Sequence, residues 1–248
     1  MSGHSKWSTI KRKKAKTDAQ KGKIFTKLIK EITVAARTGG GDDAANPALR
    51  TAIINAKAAN MPVANIERAI KKGTGELPGV AYEDITYEGY GPGGTALLIR
   101  ALTDNKNRTV AEIRHFLSKY NGNLGETGCV AWIFQRKGII TIQADQIAED
   151  ELMGIVLDAG AEDMKSEDEM YEIVTEPDSF EIVRQAIDDK GITIDSAELT
   201  MLPQNTVKVE GKAAEQLLKL MDILEDHEDV SEVFSNFDID PAILEALE

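Results

Sequence analysis

The sequence is poor in the residues that build disulfides and metal sites. Its 248 residues include one cysteine, Cys129, and three histidines, His4, His115 and His227. A single cysteine excludes an intrachain disulfide and any multi-cysteine metal site, and the scattered histidines match no recognisable ligand spacing. We therefore expect no metal, no cofactor and a reducing, cytoplasmic compartment.

Long apolar runs and nucleotide-binding motifs are also missing. No run approaches the ~20 residues that a membrane-spanning helix needs, and the basic N-terminus lacks the apolar core of a signal peptide. Walker, dinucleotide-binding and Gly-x-Ser-x-Gly motifs do not occur. The glycines at 91–94 precede a strand-like run rather than a helix, which favours a tight turn over a phosphate-binding loop. We therefore expect neither an enzyme nor a membrane partner.

Charge is distributed very unevenly. The chain has 29 basic and 42 acidic side chains, net −13, yet residues 1–72 have a net charge of +11. Residues 144–200 have a net charge of −15 and residues 201–248 of −9. A local basic excess is typical of a protein that binds a phosphate-rich partner. Because like charges repel, the acidic two-thirds of the chain, residues 73–248, should face away from that partner. We expect nucleic acid at the basic end, with the acidic domains open to a protein partner.

The basic residues divide between a flexible arm, predicted for residues 1–16, and the helices that follow it. A basic tail kept for solubility is the alternative interpretation of the arm. Trp7 could stack on a base or anchor the arm, and no helix-turn-helix, zinc-finger or RRM pattern is present, so the contacts should be with phosphates. The predicted nucleic-acid contacts are Lys6, Trp7, Lys11, Arg12, Lys13, Lys14, Lys16, Lys21, Lys23, Arg50, Lys57, Arg68, Lys71 and Lys72, with Lys106 and Arg108 as a secondary contact.

Hydrophobic spacing predicts three helices over residues 17–78. The first should run from Thr17 or Asp18 to about Arg37, and the second should be capped by Asn46. The third should begin at Pro62 and stop at Gly73. These helices form the predicted N-terminal domain.

After residue 79 the pattern predicts an α+β fold in two parts. Strands are expected at 82–86, 95–102 and 130–134, with a helix after Asn105. Residues 138–202 then show the order βαββαβ, which is typical of a ferredoxin-like fold and includes a helix at 177–189 and a strand at 192–199. We expect this ferredoxin-like domain, 137–203, to be inserted into a split α+β domain made of 79–136 and 204–240.

Two acidic clusters, at 167–169 and 225–229, lack the spacing of a calcium loop and are interpreted as solvated charge. The carboxylate-rich segment 144–200 leaves one remote alternative, an enzyme with an acidic interdomain cleft. No motif supports it.

Several long motifs resemble the YebC/PmpR family. They are GHSKW at 3–7, NMPVANIERAIKKGTGE at 60–76, YEGYGPGG at 87–94, LTDNKNRT at 102–109 and GNLGETG at 122–128. The family commonly has serine where this chain has Cys129, which argues against a cysteine nucleophile. The resemblance implies a helical domain, two α+β domains and a cytoplasmic regulator that binds promoter DNA. Relatives that include a mitochondrial translational activator of cytochrome c oxidase imply instead a ribosome-associated factor that binds ribosomal RNA and relieves stalling at proline runs. Both alternatives stay open.

Overall fold

The computed structural model describes residues 18–167 and 169–240. Its described residues form an α+β protein, as predicted, with seven α-helices, two four-stranded antiparallel sheets and one parallel pair of short strands. The predicted contacts of the arm (Lys6, Trp7, Lys11, Arg12, Lys13, Lys14 and Lys16) lie outside these residues. None of the helices in the described part combines the length and hydropathy needed to cross a membrane.

Three helices form the N-terminal unit, and the prediction of a helical domain is confirmed. They are α1 (Asp18–Gly39), α2 (Pro47–Ala58) and α3 (Val63–Gly73). Ile32, Leu49 and Ile66 are buried in their shared core. Asn46 caps α2 by accepting a hydrogen bond from the Leu49 amide at 3.1 Å, and its side-chain amide donates to two carbonyl oxygens at the end of α1. One side chain therefore both starts α2 and ties it to α1.

The first sheet is assembled from two distant parts of the chain. It contains β1 (Glu83–Tyr90), β2 (Ala96–Thr103), β3 (Asn123–Leu124) and β9 (Val230–Ser235), in the order β3-β1-β2-β9. Helices α4 (Lys106–Lys119) and α7 (Gly211–Asp226) pack on one face of it. The short strands β8 (Val207–Lys208) and β10 (Phe237–Asp238) pair separately in parallel.

The second sheet has the predicted ferredoxin-like topology. Its strands are β4 (Phe134–Gln143), β5 (Ala161–Glu167), β6 (Met170–Thr175) and β7 (Ser196–Pro203), in the antiparallel order β5-β6-β4-β7. Helices α5 (Glu149–Asp158) and α6 (Phe180–Asp188) cover one face. The predicted domain boundary between 136 and 137 falls inside β4, and the domain limits stay predictions.

The strand predicted at 130–134 is wrong. Residues Ala131–Ile133 form a turn of 3-10 helix, and β4 begins only at Phe134. The cause is Glu88, a buried side chain of β1 that accepts hydrogen bonds from the amides of Gly128, Val130 and Ala131 at 2.6–2.8 Å. Because three amides turn toward one carboxylate, this segment cannot extend into a sheet ladder.

Three further boundaries differ from the prediction. Strand β1 continues to Tyr90, beyond the predicted end at residue 86. Helix α6 begins at Phe180 rather than Pro177, after a turn in which the Ser179 amide donates to the Glu176 carbonyl oxygen. Strand β7 begins at Ser196 rather than Ile192. The backbone of Thr193 is bonded in both directions to the side chain of Gln146, so this stretch packs onto the core as a loop.

Candidate nucleic-acid interface

Four exposed cations lie on α2 and α3, three of them in the last turns of these helices. Lys57 is in the last turn of α2, and Lys71 and Lys72 are in the last turn of α3. Arg68 shares a face with Lys71 and Lys72, since residues three and four apart are neighbours on a helix. None of the ion pairs formed within the described residues involves these four side chains. They therefore present their charge to solvent.

Arg50 and Lys23 keep their charge near the surface but already have partners. The Arg50 guanidinium donates to the carbonyl oxygens of Asp43 and Ala44 at 3.0 and 2.8 Å, which secures the loop before α2. Lys23 forms an ion pair of 3.1 Å with Asp226. Lys21 belongs to the first turns of α1. Apart from Lys21, the predicted contacts of the helical unit thus divide, within the described residues, into four unpaired cations and two that also hold the fold.

The same face of α1 carries a row of three lysines that dock on one acidic corner. Lys23, Lys27 and Lys30 are spaced four and three residues apart, which places them on one side of the helix. The ammonium groups of Lys27 and Lys30 donate to the carbonyl oxygens of Glu225 and Glu228, respectively. We call residues 225–229, which join α7 to β9, the acidic corner. Lys27 and Lys30 were not among the predicted contacts, although their spacing was visible in the sequence.

Asp229 is the centre of this contact. Its side chain is 3% exposed and accepts bonds from Lys30 at 2.7 Å and Arg108 at 2.8 Å. The hydroxyls of Thr103 and Thr109 donate to it at 3.1 and 2.7 Å. Burial alone would raise the pKa of Asp229, but the bonds from Arg108, Lys30 and Thr109 outweigh it and hold that pKa well below its ordinary value.

The interpretation of this acidic cluster as solvated charge is therefore wrong for Asp229. Its hydroxyl and cationic partners come from α1, β2 and α4, all far away in sequence, and together they remove it from water. Arg108, predicted as a secondary nucleic-acid contact, is bonded to Asp229 and to Asp104. Lys106 lies 4.0 Å from Glu83 and is largely exposed. This cluster fixes the helical unit on the first sheet.

Cys129 lacks the surroundings of a nucleophile. Burial and the nearby Glu88 carboxylate raise the pKa of its thiol, whereas a reactive cysteine needs a lowered one. Its carbonyl oxygen accepts bonds from the exposed Trp132 indole at 3.1 Å and from the Tyr90 hydroxyl at 3.2 Å. No group of three potential metal ligands occurs in the part of the chain that the structure describes.

Comparison with known proteins assigns both halves of this architecture to one family. Residues 5–76 match the family model of the TACO1/YebC protein N-terminal domain, and residues 82–237 match the model of the TACO1/YebC second and third domain. The chain belongs to the TACO1/YebC family. The resemblance seen in the sequence motifs is thereby confirmed.

The relatives of this TACO1/YebC protein cover it from end to end. A protein of Syntrophobacter fumaroxidans is 59% identical over 248 residues, and one of Geobacter sulfurreducens is 57% identical over 247 residues, each covering 100% of both chains. Both are named probable transcriptional regulatory protein. The crystal structure of a conserved hypothetical protein, Aq1575, from Aquifex aeolicus is similar with a TM-score of 0.80 and 47% identity, over 93% of this chain and 95% of that one. The names of the relatives support a regulatory role rather than an enzymatic one.

Proposed function

We propose that this protein is a DNA-binding transcriptional regulator that contacts phosphates through its N-terminal arm and helical unit. The observation that carries the proposal is the unpaired cluster of Lys57, Arg68, Lys71 and Lys72. Acids outnumber bases 42 to 29 in this chain, so a cation has many potential partners. Exposed, unpaired lysines also occur in the acidic segments, but these four lie within residues 1–72, whose net charge is +11, and such a local basic excess is best explained by an external anion.

A second candidate is a ribosome-associated factor that binds ribosomal RNA. The position of the four cations favours it, because recognition helices read bases with residues near their N-termini. Here Lys57, Lys71 and Lys72 lie in the last turns of α2 and α3, and Arg68 lies in the middle of α3. None of the four is at a helix N-terminus, so phosphate contact is the simpler role. Structured RNA is read largely by shape and backbone. Either target would place the protein in the cytoplasm, and neither role needs catalysis, a cofactor or a membrane.

The test compares three nucleic acids by fluorescence anisotropy over a range of salt concentrations. They are a duplex from the protein's own promoter regions, a random duplex of equal length and a structured ribosomal RNA fragment. A transcriptional regulator should prefer the promoter duplex at physiological salt. Equal affinity for both duplexes would reject the first candidate, and preference for the RNA would select the second.

A charge variant links the binding to the four cations. Replacing Lys57, Arg68, Lys71 and Lys72 with glutamine should flatten the slope of log K against log salt by about 3 to 4, since each phosphate contact contributes about 0.9. The control replaces four exposed lysines of the acidic two-thirds with glutamine: Lys165, Lys190, Lys212 and Lys219. Equal slopes in the two variants would show that the cluster is not the binding surface.

A further inference from the structure

His227 lies at the end of α7, and its ring is held by contacts on several sides. The Nε2 atom is 2.7 Å from a carboxylate oxygen of Glu112 on α4. The Nδ1 atom accepts a hydrogen bond from the backbone amide of Asp229 at 3.1 Å. Phe116 of α4 packs edge-on against the ring, with centroids 5.9 Å apart. Because the side chain is only 10% exposed, these contacts fix its orientation.

The two bonds also define the protonation state of the ring. A ring nitrogen that accepts a hydrogen bond carries no hydrogen, so Nδ1 is unprotonated and Nε2 donates its hydrogen to Glu112. A second proton would leave the Glu112 bond intact, because Nε2 is a donor in both forms. It would end the Asp229 bond, because a protonated Nδ1 and the backbone amide are both donors. The neutral and charged forms therefore differ at the amide of Asp229.

One peptide group connects this amide to helix α1. The Glu228 carbonyl and the Asp229 N–H belong to the same planar unit. Its N–H donates to His227, and its oxygen accepts a hydrogen bond from the Lys30 ammonium at 2.9 Å. Because the unit is rigid, turning the N–H away from a protonated ring also turns the oxygen away from Lys30. Lys30 would keep the Asp229 carboxylate at 2.7 Å, so its contact would weaken without being abolished.

We propose that His227 is a pH-sensitive switch, in which protonation of Nδ1 turns the peptide between residues 228 and 229 and weakens the docking of α1 on the acidic corner. Histidine ordinarily changes its charge between about pH 5 and 8, so the switch should act in that range. The proposal concerns a contact inside the protein and does not depend on what the helical unit binds.

Other charged and titratable groups surround the ring. Glu31 of α1 has a pKa raised to about 7, first by burial and then by the Glu232 carboxylate, so it titrates in the same range and has to be separated from His227 by experiment. His115, whose ring centroid is 5.9 Å from that of Phe116, is a second group to separate. The charged and titratable groups near the ring are Glu112, His115 and Arg108 of α4, Glu225, Asp226, Glu228 and Asp229 of the acidic corner, and Lys23 and Lys30 of α1.

Two substitutions separate the roles of the ring nitrogens. Asparagine in the variant His227→Asn offers an oxygen to the amide two residues later, as in an Asx-turn, and does not titrate. Glutamine in the variant His227→Gln is long enough to donate to Glu112 but leaves the Asp229 amide without the ring acceptor. The variant His115→Gln is the matched control, because it removes the other histidine of the described residues.

The first measurement is hydrogen exchange of the Asp229 amide in the full-length protein at pH 8 and 5.5. Each rate is expressed as a protection factor, which removes the intrinsic pH dependence of exchange. In wild type and His115→Gln, protection should fall by about twofold to tenfold at the lower pH, as for the loss of one hydrogen bond. It should stay high at both pH values in His227→Asn and be low at both in His227→Gln.

The second measurement tests whether the switch reaches α1. Lysine acylation at pH 8, followed by mass spectrometry, reports the accessibility of Lys30 without a difference in pH between samples. Lys30 should react about twofold to tenfold faster in His227→Gln than in His227→Asn, whereas the exposed Lys72 should react equally in both. If His227→Gln does not fold, wild type and His227→Asn are compared at pH 6 in the same way.

Three results would overturn the proposal. Equal protection of the Asp229 amide at the two pH values in wild type would show that protonation does not break the bond. A fall in protection that persists in His227→Asn would assign the pH dependence to another group, such as Glu31. Equal acylation of Lys30 in the variants compared would show that the change at Asp229 does not reach α1.

Discussion

Replacing Asp229 with asparagine should destabilise the protein by about 3 kcal/mol, because breaking a buried ion pair typically costs 3–5 kcal/mol. Lys30, with a side chain only 10% exposed, loses its carboxylate and retains the Glu228 carbonyl oxygen as an acceptor. Asparagine still offers an oxygen to the hydroxyls of Thr103 and Thr109, so the expected loss of stability lies at the lower end of that range. Arg108 is 46% exposed and keeps its ion pair with Asp104, so the loss of its bond to residue 229 should add little to the destabilisation.

The matched control is Asp226→Asn, which removes a carboxylate three residues earlier in the acidic corner. Its ion pair with Lys23 is exposed on both sides, so the loss should be below about 1 kcal/mol. Urea unfolding followed by circular dichroism measures both variants. A double variant with Lys30→Met should lose less than the sum of the single changes, because the buried ammonium that Asp229 neutralises is gone.

The pH dependence supplies a second check on Asp229. Its folded-state pKa is lowered, so its contribution to stability is fully present above the ordinary aspartate pKa of about 3.9 and is lost as pH falls below it. The difference between wild type and Asp229→Asn should therefore be constant from pH 8 to 5 and shrink below about pH 4. If Asp229→Asn destabilised the protein no more than Asp226→Asn at neutral pH, the conclusion that buried Asp229 fixes the helical unit on the first sheet would be refuted.

Three further changes have expected outcomes. Glu88→Gln replaces the acceptor of three backbone amides and should lower the free energy of unfolding by about 2 kcal/mol, as for polar groups left unsatisfied. Amide hydrogen exchange at residues 128–131 should become faster, and unchanged exchange would contradict the role of Glu88. Glu31→Gln should stabilise the protein by about 1–3 kcal/mol at pH 8 and have little effect at pH 4. The reason is that a carboxyl whose pKa is raised to about 7 destabilises the fold as it ionises. Thermal unfolding of the variant and wild type at the two pH values checks this. Gly138→Ala would place a methyl group against Phe180 and Thr175 and should lower stability by about 1–3 kcal/mol. A thermal unfolding midpoint equal to that of wild type would show instead that α6 can shift to make room.

Local signals predicted much of this fold well. The Asn46 cap and the helical spacing of Ile32 with its neighbours depend on residues close in sequence, and the structure confirms them. The βαββαβ order also followed from local patterns, because a complete split βαβ unit lies in one continuous stretch.

The two largest errors share one cause, which is contact between residues far apart in sequence. Val130–Phe134 has the composition of a strand, but Glu88, about forty residues earlier, captures its amides. Asp229 lies in an acidic run that is typical of solvated charge, yet Lys30 is 199 residues away and removes it from solvent. Composition reports the charge of a side chain but not its partner.

The same limit applies to the candidate interface. Charge patterning selected Arg68, Lys71 and Lys72, which are exposed. It also selected Arg108, whose guanidinium is bonded to Asp229. The two cases differ only in tertiary contacts, since both are basic residues on predicted helices. Burial and pairing are the information that structure adds to a list of cations.

The most direct test of nucleic-acid binding by the helical unit is cross-linking in living cells followed by sequencing of the attached nucleic acid. Wild type should be compared with the variant in which Lys57, Arg68, Lys71 and Lys72 are glutamine. We expect promoter DNA to be enriched with wild type and to fall to background with the variant. Recovery of ribosomal RNA instead would select the translation role, and equal recovery of any nucleic acid with both proteins would contradict binding through this surface.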